Sequence, residues 1–357
     1  MRWCVFAAAA ILASGAGPVI ADDEVWREQS EKTVEARGLT ALEIINSRGR
    51  VDLVPSPDGK LHLTALKIVR VGRQERPAEL ARGIVVETAA RGGRYVVEVL
   101  YHTRRSIRFG LGDLFRVNGW SYPRYEVRIA AQVPQGLSIL VRETSGDVRS
   151  DGIAGPQVLK SSSGDIEVHS PGGRVEASST SGDVNATALR EARLSSLSGD
   201  LIVRKVAGPL RASTTSGDIT VTGAEDSLAL SSTSGDIRAD RAPRGLNVGT
   251  SSGEVVLQGV SGSVKVCTSS GGVSLAMLEP LRGVEASTSS GGIRLQLDPA
   301  IGCALDMQTS SGTLDVALPM EMRTVSRHSV EGRIRGGRTP VVLHTASGDI
   351  TVAGGDE

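Results

Sequence analysis

The sequence predicts an all-β chain: a single-chain parallel β-solenoid (β-helix) with about 18 residues per rung and an atypical N-terminal β cap. Three observations carry this. Glycines recur at a fixed spacing, apolar residues alternate with period two around each of them, and aromatic residues make up only 3% of the chain. Aligning Gly146, Gly164, Gly182, Gly199, Gly217, Gly235, Gly253, Gly271, Gly291, Gly312, Gly332 and Gly348 gives spacings of 18, 18, 17, 18, 18, 18, 18, 20, 21, 20 and 16 residues. A fixed period of this kind marks a repeat architecture, in which each unit buries its apolar stripe against its neighbours.

The first segment in chain order is an address. Met1-Arg2 is followed by an apolar run to Gly17, and Val19 and Ala21 precede the acidic Asp22-Asp23-Glu24. This is the layout of a cleaved secretory leader, residues 1–21, with cleavage after Ala21 and a periplasmic or secreted product. No later stretch reaches the ~18 apolar residues of a membrane-spanning helix, so the mature chain is expected to have no transmembrane segment. Lys+Arg and Asp+Glu each number 40, and this neutral balance argues against a nucleic-acid partner.

Residues 22–140 form the expected cap. Ala41–Ile45, Arg50–Val54 and Lys60–Thr64 alternate like strands, as do Tyr95–Tyr101, Tyr125–Val133 and Leu137–Val141; Pro77–Ala90 reads as a short helix. A degenerate start of the solenoid, covering an open end, accounts for this region because terminal repeats are atypical. Within it, the loop 103–125 departs from the rest. It carries Arg104, Arg105, Arg108, Arg116 and Arg124 against the single acid Asp113, and five of the eight aromatic residues beyond the leader. Planar guanidinium groups and rings dominate interface energetics, so Arg105, Arg108, Phe109, Phe115 and Trp120 are the candidate ligand contacts. The competing reading is that these rings fold inward and plug the end of the solenoid.

Residues 141–357 form the repeat solenoid. Two residues after each glycine stands an aliphatic side chain, from Val148 and Ile166 through Leu314 and Ile350. Five and seven before it stand further apolar residues, as in Leu210/Ala212 and Leu228/Leu230. One rung is therefore two half-buried strands joined through a Ser-Gly-Asp turn. Glycine is expected there for the left-handed region, and the following Asp for bonding nearby turn amides. The residue just before the glycine is Ser in nearly every rung, and the third before it is Ser or Thr from Ser161 through Thr309; both are in phase with the buried positions and are expected to form hydroxyl ladders. Those two and four before it are small and hydroxylated, giving one flat outward face. Cys267 and Cys303 fall at different phases of separate rungs and are expected to be free thiols.

The run Gln132-Val133-Pro134 before Leu137-Ser138-Ile139, the repeated Thr-Ser-Gly-Asp units from Thr144, the late Leu318-Pro319 and the closing Thr345-Ala346-Ser347-Gly348-Asp349-Ile350 resemble the bacterial adhesin family of DUF4097 type, with head-domain adhesin-like β-solenoids. The resemblance spans nearly all of the chain beyond the leader. It implies a non-catalytic, adhesin-like binding or scaffold protein of the cell envelope. The expected partner is an envelope polysaccharide, another anionic surface component or a protein.

Two other functions compete with this reading. A carbohydrate-active enzyme needs two unlike carboxylates across a cleft. Asp147, Asp165, Asp183, Asp200, Asp218 and Asp236 all occupy one turn role, and His62, His102, His169, His328 and His344 share no register. No catalytic residue, cofactor or metal ligand set is expected, and calcium on the Asp column is disfavoured because each Asp has turn amides to accept. Ice or crystal-surface binding by the flat face is the second alternative; Lys160, Arg193 and Gln308 interrupt that face.

Overall fold

The computed structural model describes residues 10–11, 25–70, 77–101 and 124–355. Its contacts divide the chain into two compact units, one of residues 1–167 with 171–173 and one of residues 168–170 with 174–357. Both are β-solenoid in construction.

The first unit contains β1 (Ala10–Ile11), β2 (Val25–Val34), β3 (Ala41–Pro55), β4 (Leu61–Arg70), α1 (Pro77–Arg82), β5 (Ile84–Arg91), β6 (Arg94–Tyr101), β7 (Arg124–Val133), β8 (Ser138–Asp151) and β9 (Gln157–Lys160). β3 is a rung in its own right. It pairs parallel with β8 along its length, Ala41 opposite Ser138, Gly49 opposite Gly146 and Leu53 opposite Ser150. Its other edge carries the rung formed by β6 and β7, which pair parallel with Ala41–Ile45 and Gly49–Pro55 respectively. A strand early in the chain is thus threaded between two later rungs. β5 and β4 then add antiparallel to β6 and β7, β2 adds to β4, and β1 to β5. The helix ends at Arg82 instead of running to Ala90, because Ile84, Val86 and Thr88 alternate into the core as strand residues.

The second unit begins in β10 (Ile166–His169) and continues with β11 (Val175–Ser179), β12 (Val184–Leu189), β13 (Ala192–Ser196), β14 (Leu201–Val206) and β15 (Leu210–Ser213). β16 (Ile219–Ala224), β17 (Leu228–Ser232), β18 (Ile237–Asp240) and β19 (Leu246–Ser252) follow. β11, β13, β15, β17 and β19 stack parallel and in register on one face, and β12, β14, β16 and β18 on the other. β20 (Val255–Ser270) and β21 (Val273–Ser290) each run through both faces. Leu194, Leu201, Val203, Ile219 and Leu257 are fully buried between the faces. The space between the faces is filled by aliphatic side chains, and no aromatic residue follows Tyr125 in the chain.

The last rungs depart from chain order. After β22 (Ile293–Leu297) come β23 (Cys303–Ser311), β24 (Leu314–Val316), β25 (Met320–Val325), β26 (Ser329–Ile334), β27 (Thr339–Ser347) and β28 (Ile350–Gly354). β27 pairs with β21 on one edge and β23 on the other, and β28 likewise lies between β22 and β24. The final rung is therefore inserted ahead of the one that precedes it in sequence. Gly332 marks no rung: it lies inside β26, antiparallel to both β23 and β25. Glycine stands there because a Cβ would crowd the Met320 side chain and the Glu321 carbonyl.

The repeat glycines are not explained by left-handed backbone either. Among them only Gly291, Gly312 and Gly348 have positive φ, at 154–157°. A Cβ on Gly164 would overlap the carbonyl oxygen of Gly146, one on Gly217 that of Gly199, and one on Gly235 that of Gly217. Rung stacks on rung at bare backbone. Left-handed residues form a second column instead, six positions after the repeat glycine: Gly152, Ser170, Ala188, Lys205, Gly223, Arg241 and Gly259, with φ from 47° to 73°.

Candidate functional site

The contact candidates Arg105, Arg108, Phe109, Phe115 and Trp120 lie outside the described residues, as does His102; the stems of their loop do not. Tyr101 closes β6 and Tyr125 stands at the start of β7, so the loop leaves the first unit where other rungs make their Ser-Gly-Asp turn. Tyr101 and Tyr125 meet with ring centroids 5.5 Å apart, and the Arg48 guanidinium stacks 4.8 Å from the Tyr125 centroid. The Tyr101 hydroxyl lies 2.9 Å from both Asn46 Oδ1 and the Arg48 carbonyl, and donates to either. Burial and the Glu143 charge push its pKa above the usual tyrosine value. Asn46 is fully bonded: its amide donates to the Val127 and Arg48 carbonyls, and its oxygen accepts from the Ser47 N–H.

Beneath this cluster lies Glu143, 4% exposed. Neither carboxylate oxygen meets a donor at good hydrogen-bonding geometry, although the Asn46 amide and the Thr144 N–H stand close enough to act on it. Burial pushes its pKa from 4.5 up to about 7, with the Asn46 amide and the Thr144 N–H pulling the other way and the Asp147 charge adding to the rise. Asn46 and Glu143 occupy the third position before Gly49 and Gly146, where every rung from Ser161 on has Ser or Thr. The sequence signal that would have singled them out was a carboxylate and an amide in a column of hydroxyls.

In that column the hydroxyls are committed to the stack, with the exception of Thr268, whose Oγ1 is buried without a partner. Ser196 donates to the Gly182 carbonyl at 3.1 Å and accepts the Gly199 N–H at 2.9 Å; Thr214 repeats the pattern with Gly199 and Gly217. The residue just before the glycine behaves differently from expectation. Ser163, Ser198, Ser216 and Ser234 are exposed, and it is their backbone N–H groups that bond to a neighbouring rung. The Asp column also differs, because each carboxylate reaches forward. Asp183, Asp200 and Asp218 Oδ1 accept the amide of the equivalent residue in the next rung at 2.8 Å. Asp236 accepts the Glu254 amide and Asp349 that of Thr313, both at 2.8 Å.

The outward column four before the glycine runs Ser178, Ser195, Ser213, Ser231, Gly249, Cys267 and Ser287 in register. It forms the flat, small-residue face expected from the sequence. Cys267 is exposed on it and Cys303 is buried; both are free thiols. On the first unit the corresponding face is charged instead: Glu43, 6% exposed, is held by Arg94 at 2.9 Å and Arg142 at 3.0 Å. Among the described residues no group of three or more His, Cys, Asp and Glu could hold a metal ion, and no helix is long and apolar enough to cross a membrane.

The family model described as Toastrack DUF4097 matches residues 97–247 and 210–353. No curated protein matches the chain. Solved structures similar to it include a "putative cell adhesion protein" from Clostridium sporogenes, at 9% identity, covering 92% of this chain and all of that one, with a TM-score of 0.21. A "putative lipid binding protein" from Parabacteroides distasonis gives 14% identity, 92% and 97% coverage and a TM-score of 0.35. A "putative adhesin" from Bacteroides fragilis gives 12%, 91% and 96%, and 0.27. At these scores the roles named for those proteins stay with them.

Proposed function

The chain belongs to the Toastrack DUF4097 family, and from that premise we propose that it works as a non-catalytic, adhesin-like binding or scaffold protein of the bacterial cell envelope. One observation carries the reading. The repeated polar groups that would be candidates for chemistry, the Asp carboxylates and, Thr268 apart, the buried Ser/Thr hydroxyls of the inner rungs, are engaged in bonds between rungs. Glycoside cleavage needs carboxylates in unlike environments across a cleft, whereas here the same carboxylate does the same task rung after rung. What is left for partners is surface: a flat column of small hydroxyl side chains and one aromatic, arginine-rich loop. The leader 1–21 directs this surface to the periplasm or the medium.

The contact surface in this reading is the loop carrying Arg105, Arg108, Phe109, Phe115 and Trp120, and its partner an anionic envelope polysaccharide, another surface component or a protein. The described stems support it. The Tyr101 bonds to Asn46 and Arg48 and the Arg48–Tyr125 stack fix both ends of the loop to a rung. A fixed base lowers the ordering cost of binding.

Replacing Arg105, Arg108 and Trp120 together by Ala should abolish co-sedimentation with isolated envelopes and leave the melting temperature within a few degrees of the parent. Retained binding with a large fall in melting temperature would mean that the loop is an end plug and that the contact surface lies elsewhere.

A further inference from the structure

We propose that the outer edge of β25 pairs antiparallel with the same edge of a second copy of the chain, forming a two-fold dimer centred on Met322. Among the described residues β25 is bonded on one side only, to β26. Its other side presents unpaired backbone N–H and C=O groups, the template on which a further strand adds. The side chains here are also incompletely covered. Met320, Met322 and Val325 lie opposite Ile334, Gly332 and Val330, which are buried. Yet Met322 is 67% and Val325 60% exposed, and Leu314, Val316 and Leu318 in the adjoining rung are only half-buried. Equivalent positions in the inner rungs, such as Val203 and Val255, are fully buried.

Charge selects the occupant. Glu321 and Arg323 flank Met322; Glu321 stands opposite Arg333 across the hairpin, and among the described residues neither Glu321 nor Arg323 is in an ion pair. A two-fold axis through Met322 sets residue 321 of each copy against residue 323 of the other. Glu321 then meets Arg323 of the second copy, and Arg323 meets its Glu321, so two pairs form at once. Parallel pairing in the same register would oppose Glu321 to Glu321 and Arg323 to Arg323, which is repulsive. The strand is self-complementary only in the antiparallel sense. A bulge between Met322 and Thr324 in the hairpin confines the pairing to Met320–Arg323. An isologous contact of this kind uses up the edge in both copies, so assembly stops at two.

The test is sedimentation velocity with light scattering on the full chain over a hundredfold concentration range. Dimer is expected for the parent protein. Glu321→Arg alone and Arg323→Glu alone should each be monomeric, and the double charge swap should return to dimer. Circular dichroism melts check that each variant is folded. An independent reading comes from Met322→Cys in a Cys4→Ser, Cys267→Ser background, which should form a disulfide-linked dimer on a non-reducing gel, while Val342→Cys, exposed elsewhere on the same unit, should not. A parent that stays monomeric throughout, a dimer indifferent to both single reversals, or cross-linking at Val342 in place of Met322 overturns the proposal. These outcomes do not depend on envelope binding, so either proposal can fail alone.

Discussion

Glu143 stands where every rung from Ser161 onward places a hydroxyl, and the two groups use the same slot differently. A hydroxyl both accepts the amide three residues ahead and donates to the neighbouring glycine carbonyl, as Ser161 does with Gly164 and Gly146. An ionised carboxylate can only accept; a protonated one can do both. Burial without a counter-charge therefore favours the protonated form, and the folded-state value rises from 4.5 to about 7. The sign follows from linkage. The folded state holds the proton more tightly than the unfolded chain, so this group's contribution is fully present below the unfolded value and is lost as pH rises through the folded one. At 1.36 kcal/mol per pH unit the loss is about 3 kcal/mol at most. Melting temperature should fall between pH 5 and pH 8 in the parent protein and change far less in Glu143→Gln, which keeps the shape and supplies a donor. Equal pH slopes for the two proteins would show that Glu143 is solvated or paired in solution.

At the scale of the element, the two corners of a rung obey different rules, and the sequence displayed only one of them. The Gly column at the first corner is visible as a motif, but its cause is contact between stacked backbones, which a one-dimensional reading cannot see. The left-handed column at the second corner is masked in the sequence because Ser170, Ala188, Lys205 and Arg241 occupy it as well as glycines. Substitution separates the two causes. Gly217→Ala should cost about 3 kcal/mol, since its Cβ overlaps the Gly199 carbonyl. Gly223→Ala, where a Cβ would meet the Lys205 backbone only at 4.0 Å and φ is 73°, should cost about 1 kcal/mol. Lys205→Gly should stabilise by a few tenths to about 1 kcal/mol, as relief of the left-handed strain outweighs the added freedom of the unfolded chain. Urea titrations of the three variants check the order; Gly223→Ala costing as much as Gly217→Ala would refute the distinction. The Asp column was legible as a turn feature for the same reason as the glycines. Its reach into the next rung was not, because bonding to its own turn and bonding to the next rung leave the same residue at the same spacing.

For the whole molecule, the repeat made the solenoid and its register readable but hid the order of its rungs. Any Ser-Gly-Asp unit fits against any other, so spacing alone suggests sequential stacking. In the second unit the structure instead places β27 and β28 between β21/β22 and β23/β24, and buries Cys303 opposite Thr339 of the inserted strand. Solenoid stability is close to a sum of rung terms and neighbour terms, so removing an internal rung deletes two interfaces, not one. Cys303 reports on this directly. It is fully buried, and burial lifts its thiol to about 11, whereas Cys267 is exposed. In a Cys4→Ser background, a thiol reagent should label one cysteine quickly in the parent protein. Truncation after Arg338 removes β27 and β28, and should bring Cys303 to a rate comparable with Cys267 while lowering the melting temperature. A truncated chain that keeps Cys303 protected would mean that β23 closes directly on β21 in chain order, so that the inserted rung adds length to the stack without being what holds its last turn in place.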